Sequence, residues 1–522
     1  MHDRNTASRC LTLLALCGIV AAFSPTTRAD IRLPSIIGDN MVLQGGDVVR
    51  IWGWAEAGEE IAISVSWRKT GWTIQAGDNG KWRFTMSAPE AGGPYEMTLK
   101  GKNTVTVKNI HVGEVWVCSG QSNMEMAVRS STNAEQEIAA AAYPKLRLFS
   151  VERKVADTPQ DNCVGKWVEC SPQTVGDFSA VAYFFGRELH KELNVPVGLI
   201  HTSWGGTPAE SWASPAMIEE NAVFEPIVAR YKEALANYPK AKKAYDEKME
   251  QWKTDTEKAK AAGTKAPSKP SEPLGPGSSW TPAGLYNAMI APLVSYSICG
   301  AIWYQGESNA GRAYQYRELF PAMIKSWRKA WPQGSFPFLY VQLANYMQTK
   351  DEPGGSAWAE LREAQRMTLD LPDTGMAVII DLGEAADIHP KNKQDVGKRL
   401  ALWALAKTYD KDVVYSGPIY KSMQRKDKEI VLHFDHIGGG LVAKDGGPLK
   451  GFAVAGQDQR FVWADARIEG DTVVVGSDKV TEPIAVRYAW ADNPVCNLYN
   501  KAGLPASPFR TDTWPGVTID SK

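Results

Sequence analysis

The chain lacks any charge excess: 58 Lys and Arg residues face 59 Asp and Glu residues, a formal net charge of -1. No global field therefore draws it to nucleic acid or to an anionic membrane, and bulk electrostatics do not choose its substrate. Histidine is scarce, with seven in 522 residues, and no Cys-x-x-Cys or His-x-x-x-His spacing occurs, so a structural zinc site has no support. No internal repeat is present. No apolar run reaches the roughly 18 to 20 residues that span a bilayer.

What the N-terminus does contain is Arg4 and Arg9, then the apolar stretch from Cys10 to Phe23, then Thr27-Arg28-Ala29. A positive region, an apolar segment and a small residue at the cut predict a secretory signal peptide over residues 1–29, and a soluble protein that is secreted or periplasmic. Leu16 stands before Cys17 where a lipoprotein cleavage site needs a small residue, so lipid anchoring is not expected. Five cysteines follow: Cys118, Cys163, Cys170, Cys299 and Cys496, an odd number that cannot all pair within one chain. Cys163 and Cys170 flank a possible hairpin, and an oxidising compartment would permit their bridge. Cys118, in an apolar strand, reads as a small buried hydrophobe.

A chain of this length exceeds one ordinary core. Residues 30–110 show short alternating strands such as Val48–Trp54, Ile61–Trp67 and Lys81–Thr85 between Gly- and Asn-containing turns, and predict a β-sandwich-like module. Residues 111–410 alternate apolar strands, Val115–Cys118, Val197–His201, Ile298–Tyr304, Phe338–Leu343 and Met376–Asp381, with helical periodicities such as Val396, Leu400 and Trp403. That alternation predicts an α/β domain with a mainly parallel sheet, whose ligands lie at the carboxyl ends of the strands. Residues 224–277 interrupt it: Ile227, Tyr231 and Leu235, then Tyr245, Met249 and Trp252, predict a pair of amphipathic helices with a Pro/Gly-rich tail. Strand signals return over 411–522 as a second β-rich module. The 19 tryptophans are expected mainly in cores, although an exposed indole can also stack on a sugar ring.

The chemistry starts at Gly120-Gln121-Ser122-Asn123-Met124, entered from Val115-Trp116-Val117-Cys118. A serine at the end of a buried strand predicts a tight strand-to-helix turn with an exposed hydroxyl, the posture of a nucleophile, although Met124 replaces the second glycine of a Gly-x-Ser-x-Gly elbow. Serine hydrolysis also needs a base, a group to orient it, and donors for the oxyanion. His111 and His190 fall in structural elements and His433 and His436 in the C-terminal module, which leaves His201 and His389. His389 follows the strand Met376–Ile380 directly, and Pro390 holds it out of helical geometry before a helix that begins near Asn392. Asp387, two residues earlier, is placed to fix the tautomer of that imidazole. Paired glycines in Ser203-Trp204-Gly205-Gly206-Thr207 permit a backbone amide to donate to an oxyanion. Trp303-Tyr304-Gln305-Gly306-Glu307-Ser308-Asn309 offers two carboxamides, Gln305 and Asn309, for the remaining donor. Trp303 and Arg312 are candidates for contact with a sugar, against a structural ion pair for the arginine.

These four segments, with Leu33-Pro34-Ser35, Met41-Val42-Leu43-Gln44 and Pro508-Phe509-Arg510-Thr511-Asp512, resemble the sialate O-acetylesterases of the SGNH/GDSL hydrolase superfamily over most of the mature chain. The resemblance implies an SGNH-type three-layer α/β/α hydrolase domain flanked by N-terminal and C-terminal β-rich modules, acting without a metal or other cofactor on O-acetylated glycans. It carries over Ser122 as nucleophile and His389 as base. Many SGNH enzymes place the acid three residues before the histidine, where this chain has Ala386; Asp387 is the expected acid, Asp381 the alternative, and a Ser-His dyad the third possibility. Gly206 with Gln305 or Asn309 is implied as the oxyanion set. The implied activity is a sialate O-acetylesterase; acetylxylan or another plant-polysaccharide ester is the alternative substrate, and an inactive carbohydrate-binding scaffold the minor alternative.

Overall fold

The computed structural model describes residues 30–521. The expected signal peptide lies outside the described residues. Seven strands open the chain: β1 (Val42–Gln44), β2 (Val48–Trp54), β3 (Glu60–Val65), β4 (Trp72–Gln75), β5 (Lys81–Ser87), β6 (Gly92–Lys100) and β7 (Thr104–Gly120). Along β2, β3 and β5 every second residue is buried, the period of a sheet with one face in a core and one in water. β2 and β5 pair as an antiparallel ribbon, while β3 and β6 join β7.

β7 changes character along its length. Its first half, pairing with β6, alternates loosely, whereas Ile110 to Gly120 are buried with the sole break at Glu114. The second half is the centre of a sheet covered on both faces, where a continuous apolar run is what burial demands. The domain boundary expected near residue 110 therefore falls inside β7, at the bend made by Asn109 with its φ of +55°, and the apolar core runs without interruption from Ile51, Ile63 and Leu99 to Trp116 and Trp303.

The central sheet continues with β8 (Tyr143–Ser150), β9 (Trp167–Cys170), β10 (Val197–Ser203), β11 (Gly300–Tyr304), β12 (Phe338–Gln342) and β13 (Thr374–Val378). Its order is β13-β12-β11-β7-β10-β8-β9, parallel except for the edge strand β9. Eight α-helices accompany the strands among the described residues: α1 (Ser122–Glu125), α2 (Ala134–Ala139), α3 (Ala180–Leu193), α4 (Pro215–Glu219), α5 (Glu225–Ala261), α6 (Ala313–Ala330), α7 (Ala357–Met367) and α8 (Lys393–Lys407). The ladder sets Trp116 opposite Gly300 and Ser119 opposite Trp303, so the two tryptophans lie on opposite faces. Trp116 packs on Phe185 of α3, and Trp303 on Phe320 and Trp327 of α6. Helices thus cover both faces of a mainly parallel sheet.

Three expectations need correction. The insertion is one helix of 37 residues, not a pair: α5 runs through Pro239, which removes one N–H donor but sits among Ala, Lys and Glu residues that favour the helix on either side. Its tail folds back without helix, with Trp252 Nε1 donating to Pro267 O at 2.9 Å. Cys163 and Cys170 are not bridged, because β9 pairs with β8 rather than forming a hairpin back to Cys163. Burial pushes both thiols up to about 12. Trp303 is fully buried between sheet and helix, so it packs the core and touches no sugar.

The last hundred residues build antiparallel strands, including Ile419–Lys426, Glu429–Asp435, Phe452–Ala455, Thr472–Gly476 and Ala485–Tyr488, around a second apolar cluster of Ile430, Leu432, Val473, Val486, Tyr488 and Phe509. This module docks on α7. Arg362, fully buried, donates to the carbonyls of Leu343 and Ala344 at 2.8 and 2.7 Å and to those of Ala491 and Asp492 at 2.8 Å each. Arg510 donates to Glu363 at 2.8 Å beside it.

Candidate active site

The ends of three neighbouring strands align: Gly120 of β7 stands opposite Ser203 of β10 on one side and Tyr304 of β11 on the other. Each of the three serine-, glycine- and glutamine-bearing segments leaves the sheet at that level, which is why motifs far apart in sequence meet. Gly120 is required there. A β-carbon on it would lie 2.2 Å from Tyr304 O, and its φ of +143° is one that L side chains rarely adopt. The chain then turns into α1, where Ser122 is the first residue and its N–H has no intrahelical acceptor.

His389 lies on the loop between β13 and α8, the latter capped by the Asn392 side chain accepting from Asp395 N. Its Nε2 is 2.8 Å from Ser122 Oγ, hydrogen-bond distance between residues 267 positions apart. Asp387 Oδ1 accepts from the His389 backbone N–H at 2.9 Å and lies 3.5 Å from His389 Nδ1. The latter is an electrostatic contact rather than a hydrogen bond. Both side chains are about two-fifths exposed, 40% for His389 and 44% for Asp387, so the pair sits at the surface, open to a bulky ligand. The alternative acid, Asp381, is committed elsewhere: Arg399 holds both its oxygens, at 2.6 and 2.8 Å, and this ion pair keeps its carboxyl below the usual range despite burial. His201, the other candidate base, reaches Ser203 Oγ at 2.6 Å instead, and burial, with Arg153 second, lowers its pKa to about 4.

The Gly205-Gly206 turn abuts the serine. A β-carbon on Gly205 would come within 3.3 Å of Ser122 Cβ, and Gly206, at φ +74°, has no acceptor for its N–H among the described residues. The carboxamides expected beside it are a correction. Gln305 is fully buried; its Nε2 donates to Asn309 Oδ1 at 2.7 Å and to Thr207 O at 3.3 Å, and its Oε1 accepts from Tyr316 OH at 2.9 Å. Asn309 Nδ2 donates to Glu210 Oε2 at 2.8 Å while its Oδ1 also takes the Ala209 N–H at 2.9 Å. Inward partners thus engage both amides, which brace the loops rather than face an oxyanion. Arg312 pairs with the same Glu210 at 3.1 Å, the structural ion pair rather than a sugar contact.

One residue of the turn escaped sequence reasoning. Glu125 Oε2 accepts the Gly205 N–H, while its Oε1 pairs with Arg153, whose guanidinium lies 5.9 Å from the Trp204 ring centroid. Its only signal was the spacing: three residues after Ser122 on a helix puts it on the same face. The carboxylate fixes the glycine turn against the serine. A hydroxyl held by an imidazole, beside backbone N–H groups with no acceptor, is the equipment for acyl transfer.

The family described as carbohydrate esterase, sialic acid-specific acetylesterase, matches residues 112–260 and 276–406. The sialate O-acetylesterase of Rattus norvegicus is 30% identical over 549 residues, 95% of this chain and 97% of that protein. That of Homo sapiens is 30% identical over 539 residues, covering 93% and 94%. A crystal structure of a carbohydrate acetylesterase from Xanthomonas citri superposes with a TM-score of 0.79 at 38% identity, over 93% of this chain and all of that one. With a family match over more than half its length and relatives along nearly all of it, the chain belongs to the sialic acid-specific acetylesterase family of carbohydrate esterases and is a hydrolase acting on carbohydrate esters.

Proposed function

We propose that the protein is an exported O-acetylesterase that releases acetate from O-acetylated sugars, most readily sialates, through an acetyl-enzyme on Ser122. The observation that carries this reading is the 2.8 Å contact between Ser122 Oγ and His389 Nε2 at the carboxyl edge of the sheet. Ser122 Oγ attacks the acetyl carbonyl as its proton passes to His389 Nε2, and Asp387 favours the imidazolium that forms. The N–H groups of Ser122 and Gly206 receive the oxyanion. The tetrahedral adduct collapses, the sugar oxygen leaves with the proton from His389, and the acetyl group remains esterified to Ser122 Oγ. Water then gives its proton to His389, attacks the acetyl carbon, and the second adduct releases acetate and restores the hydroxyl.

The domain is assigned the SGNH arrangement, with residues 30–110 and 411–522 as flanking β-rich modules and 224–277 as its insertion. Export rests on the charged, apolar and small-residue pattern of residues 1–29. The sugar follows from the relatives named sialate O-acetylesterases; an acetylated plant polysaccharide is the second reading, favoured by the open, half-exposed dyad. Acetate release from O-acetylated sialoglycoprotein and from acetylated xylan, by wild type and Ser122→Ala, tests both parts. A folded Ser122→Ala protein with undiminished activity refutes the mechanism, and faster release from xylan refutes the sialate preference.

A further inference from the structure

Beneath the Ser122–His389 pair lies a polar cluster that none of the steps above uses. Asn123, the residue after Ser122, is 1% exposed and makes three bonds to three separate segments. Its Nδ2 donates to Glu307 Oε1 at 2.6 Å and to Ile388 O at 3.0 Å, and its Oδ1 accepts from Lys393 Nζ at 2.5 Å. Ile388 immediately precedes His389, Lys393 begins α8 just beyond it, and Glu307 belongs to the loop that leaves β11. One carboxamide therefore links the turn that carries the serine, both flanks of the loop that carries the histidine, and the neighbouring strand end.

The cluster is costly to bury. Lys393 is fully buried, its ammonium 5.2 Å from the Tyr304 ring centroid, and burial lowers its pKa to about 7. Three carboxylates oppose that effect in order: Glu307, Asp387 and Glu384. Glu307 Oε2 is shielded and has no partner among the described residues, and burial raises its pKa. A well-packed apolar pair of similar volume is often as stable as a buried ion pair or more so, so stability alone gives little reason for these groups here. Their arrangement, converging on the residues beside both reacting side chains, does give one.

We propose that Asn123 and Lys393 are positioning residues for ester hydrolysis: with Glu307 they form a buried clasp that sets the Ser122 hydroxyl against the His389 ring. The proposal rests on the Ser122–His389 reading. Without Asn123 the histidine loop loses its tie to the serine turn, while the open face that receives the sugar is untouched. Without the Lys393 ammonium the Asn123 Oδ1 loses its donor, and the positive charge facing Glu307 and Asp387 disappears.

The test measures kcat, KM and the pH profile of kcat/KM on a small acetyl ester for the full chain and for Ser122→Ala, Asn123→Ala, Glu307→Gln and Lys393→Met. Asn123→Ala and Lys393→Met are expected to lower kcat about 10- to 100-fold with KM within about twofold, because misplacement acts on the reacting geometry rather than on binding. Glu307→Gln, which retains an oxygen acceptor for Asn123 but removes the carboxylate facing Lys393, is expected to lower kcat less than Asn123→Ala does, again with KM within about twofold. The loss of kcat in Lys393→Met, with KM held, persists at every pH of the profile, a split that a purely structural role does not produce. If Lys393→Met does not fold, Glu307→Gln/Lys393→Met, which removes both charges, takes its place with the same loss in kcat expected. Wild-type kcat in folded Asn123→Ala and in the lysine variant, or losses confined to KM, overturns the clasp. An active Ser122→Ala protein overturns the underlying reading instead, so the two failures are distinguishable.

Discussion

Gly205→Ala tests whether the turn beside Ser122 is a rigid donor. The added methyl would lie 2.9 Å from Glu125 Oε2, 3.3 Å from Ser122 Cβ and 3.6 Å from Ser122 Cα. The first distance is shorter than a β-carbon tolerates, so the carboxylate must move. It is not free to do so, since one oxygen takes the Gly205 N–H and the other pairs with Arg153. The turn must therefore shift by several tenths of an ångström, and overpacking of this kind costs about 1 to 3 kcal/mol. The larger effect is on rate: misaligning one oxyanion donor lowers kcat about 10²- to 10³-fold. Gly206→Ala strains the proposed donor itself without a clash. Nothing lies within 4 Å of its added methyl, and only the left-handed φ of +74° resists it. That resistance is worth about 1 to 2 kcal/mol, and kcat falls to the extent that relief of the φ swings the Gly206 N–H away from the oxyanion. Initial rates of acetate release together with thermal unfolding of both variants separate the effects. A Gly205→Ala protein whose kcat stays within about threefold of wild type refutes the assignment of this turn as the donor.

At the acid position, Asp387→Asn is expected to lower kcat only about tenfold, because the contact to His389 Nδ1 is long and half exposed, whereas His389→Ala removes about 10³-fold or more; equal losses would contradict this order. Arg362→Leu leaves four buried carbonyls without their donor and is expected to cost about 3 to 5 kcal/mol in urea unfolding, with earlier release of the C-terminal module by protease; a loss below about 1 kcal/mol would refute its role as the staple. His201, with its folded pKa of about 4 below the ordinary 6.5, contributes stability that is complete above pH 6.5 and is lost as pH falls toward 4. The loss amounts to about 3 kcal/mol, seen as a fall in the urea midpoint between pH 7 and pH 4.5 that His201→Gln flattens; an unchanged slope in that variant would count against it.

The strand-end segments were legible because apolar runs and turn residues are local signals. The pairing of Ser122 with His389 followed once both were placed at the same edge of one sheet. What stayed illegible was decided by distant partners. Whether Gln305 faces an oxyanion or a tyrosine depends on Tyr316, eleven residues further along the chain in α6, and whether Asn309 is free depends on Glu210. The continuity of α5 through Pro239 was hidden because a proline's effect on a helix depends on what flanks it. The boundary near residue 110 looked natural because β7 changes its burial pattern midway, and a change of environment along one strand reads like a change of module.

That strand has an architectural meaning. At about 3.3 Å per residue, the 17 residues of β7 span at most roughly 56 Å, with the N-terminal strands hydrogen-bonded along one end and Ser122 two residues past the other. Its pleat is bent at Asn109, whose φ of +55° lies in the left-handed region where the pairing with β6 shifts register. The N-terminal strands and the serine turn thus share one strand, so the opening segment is built into the sheet that carries the active site rather than attached beside it.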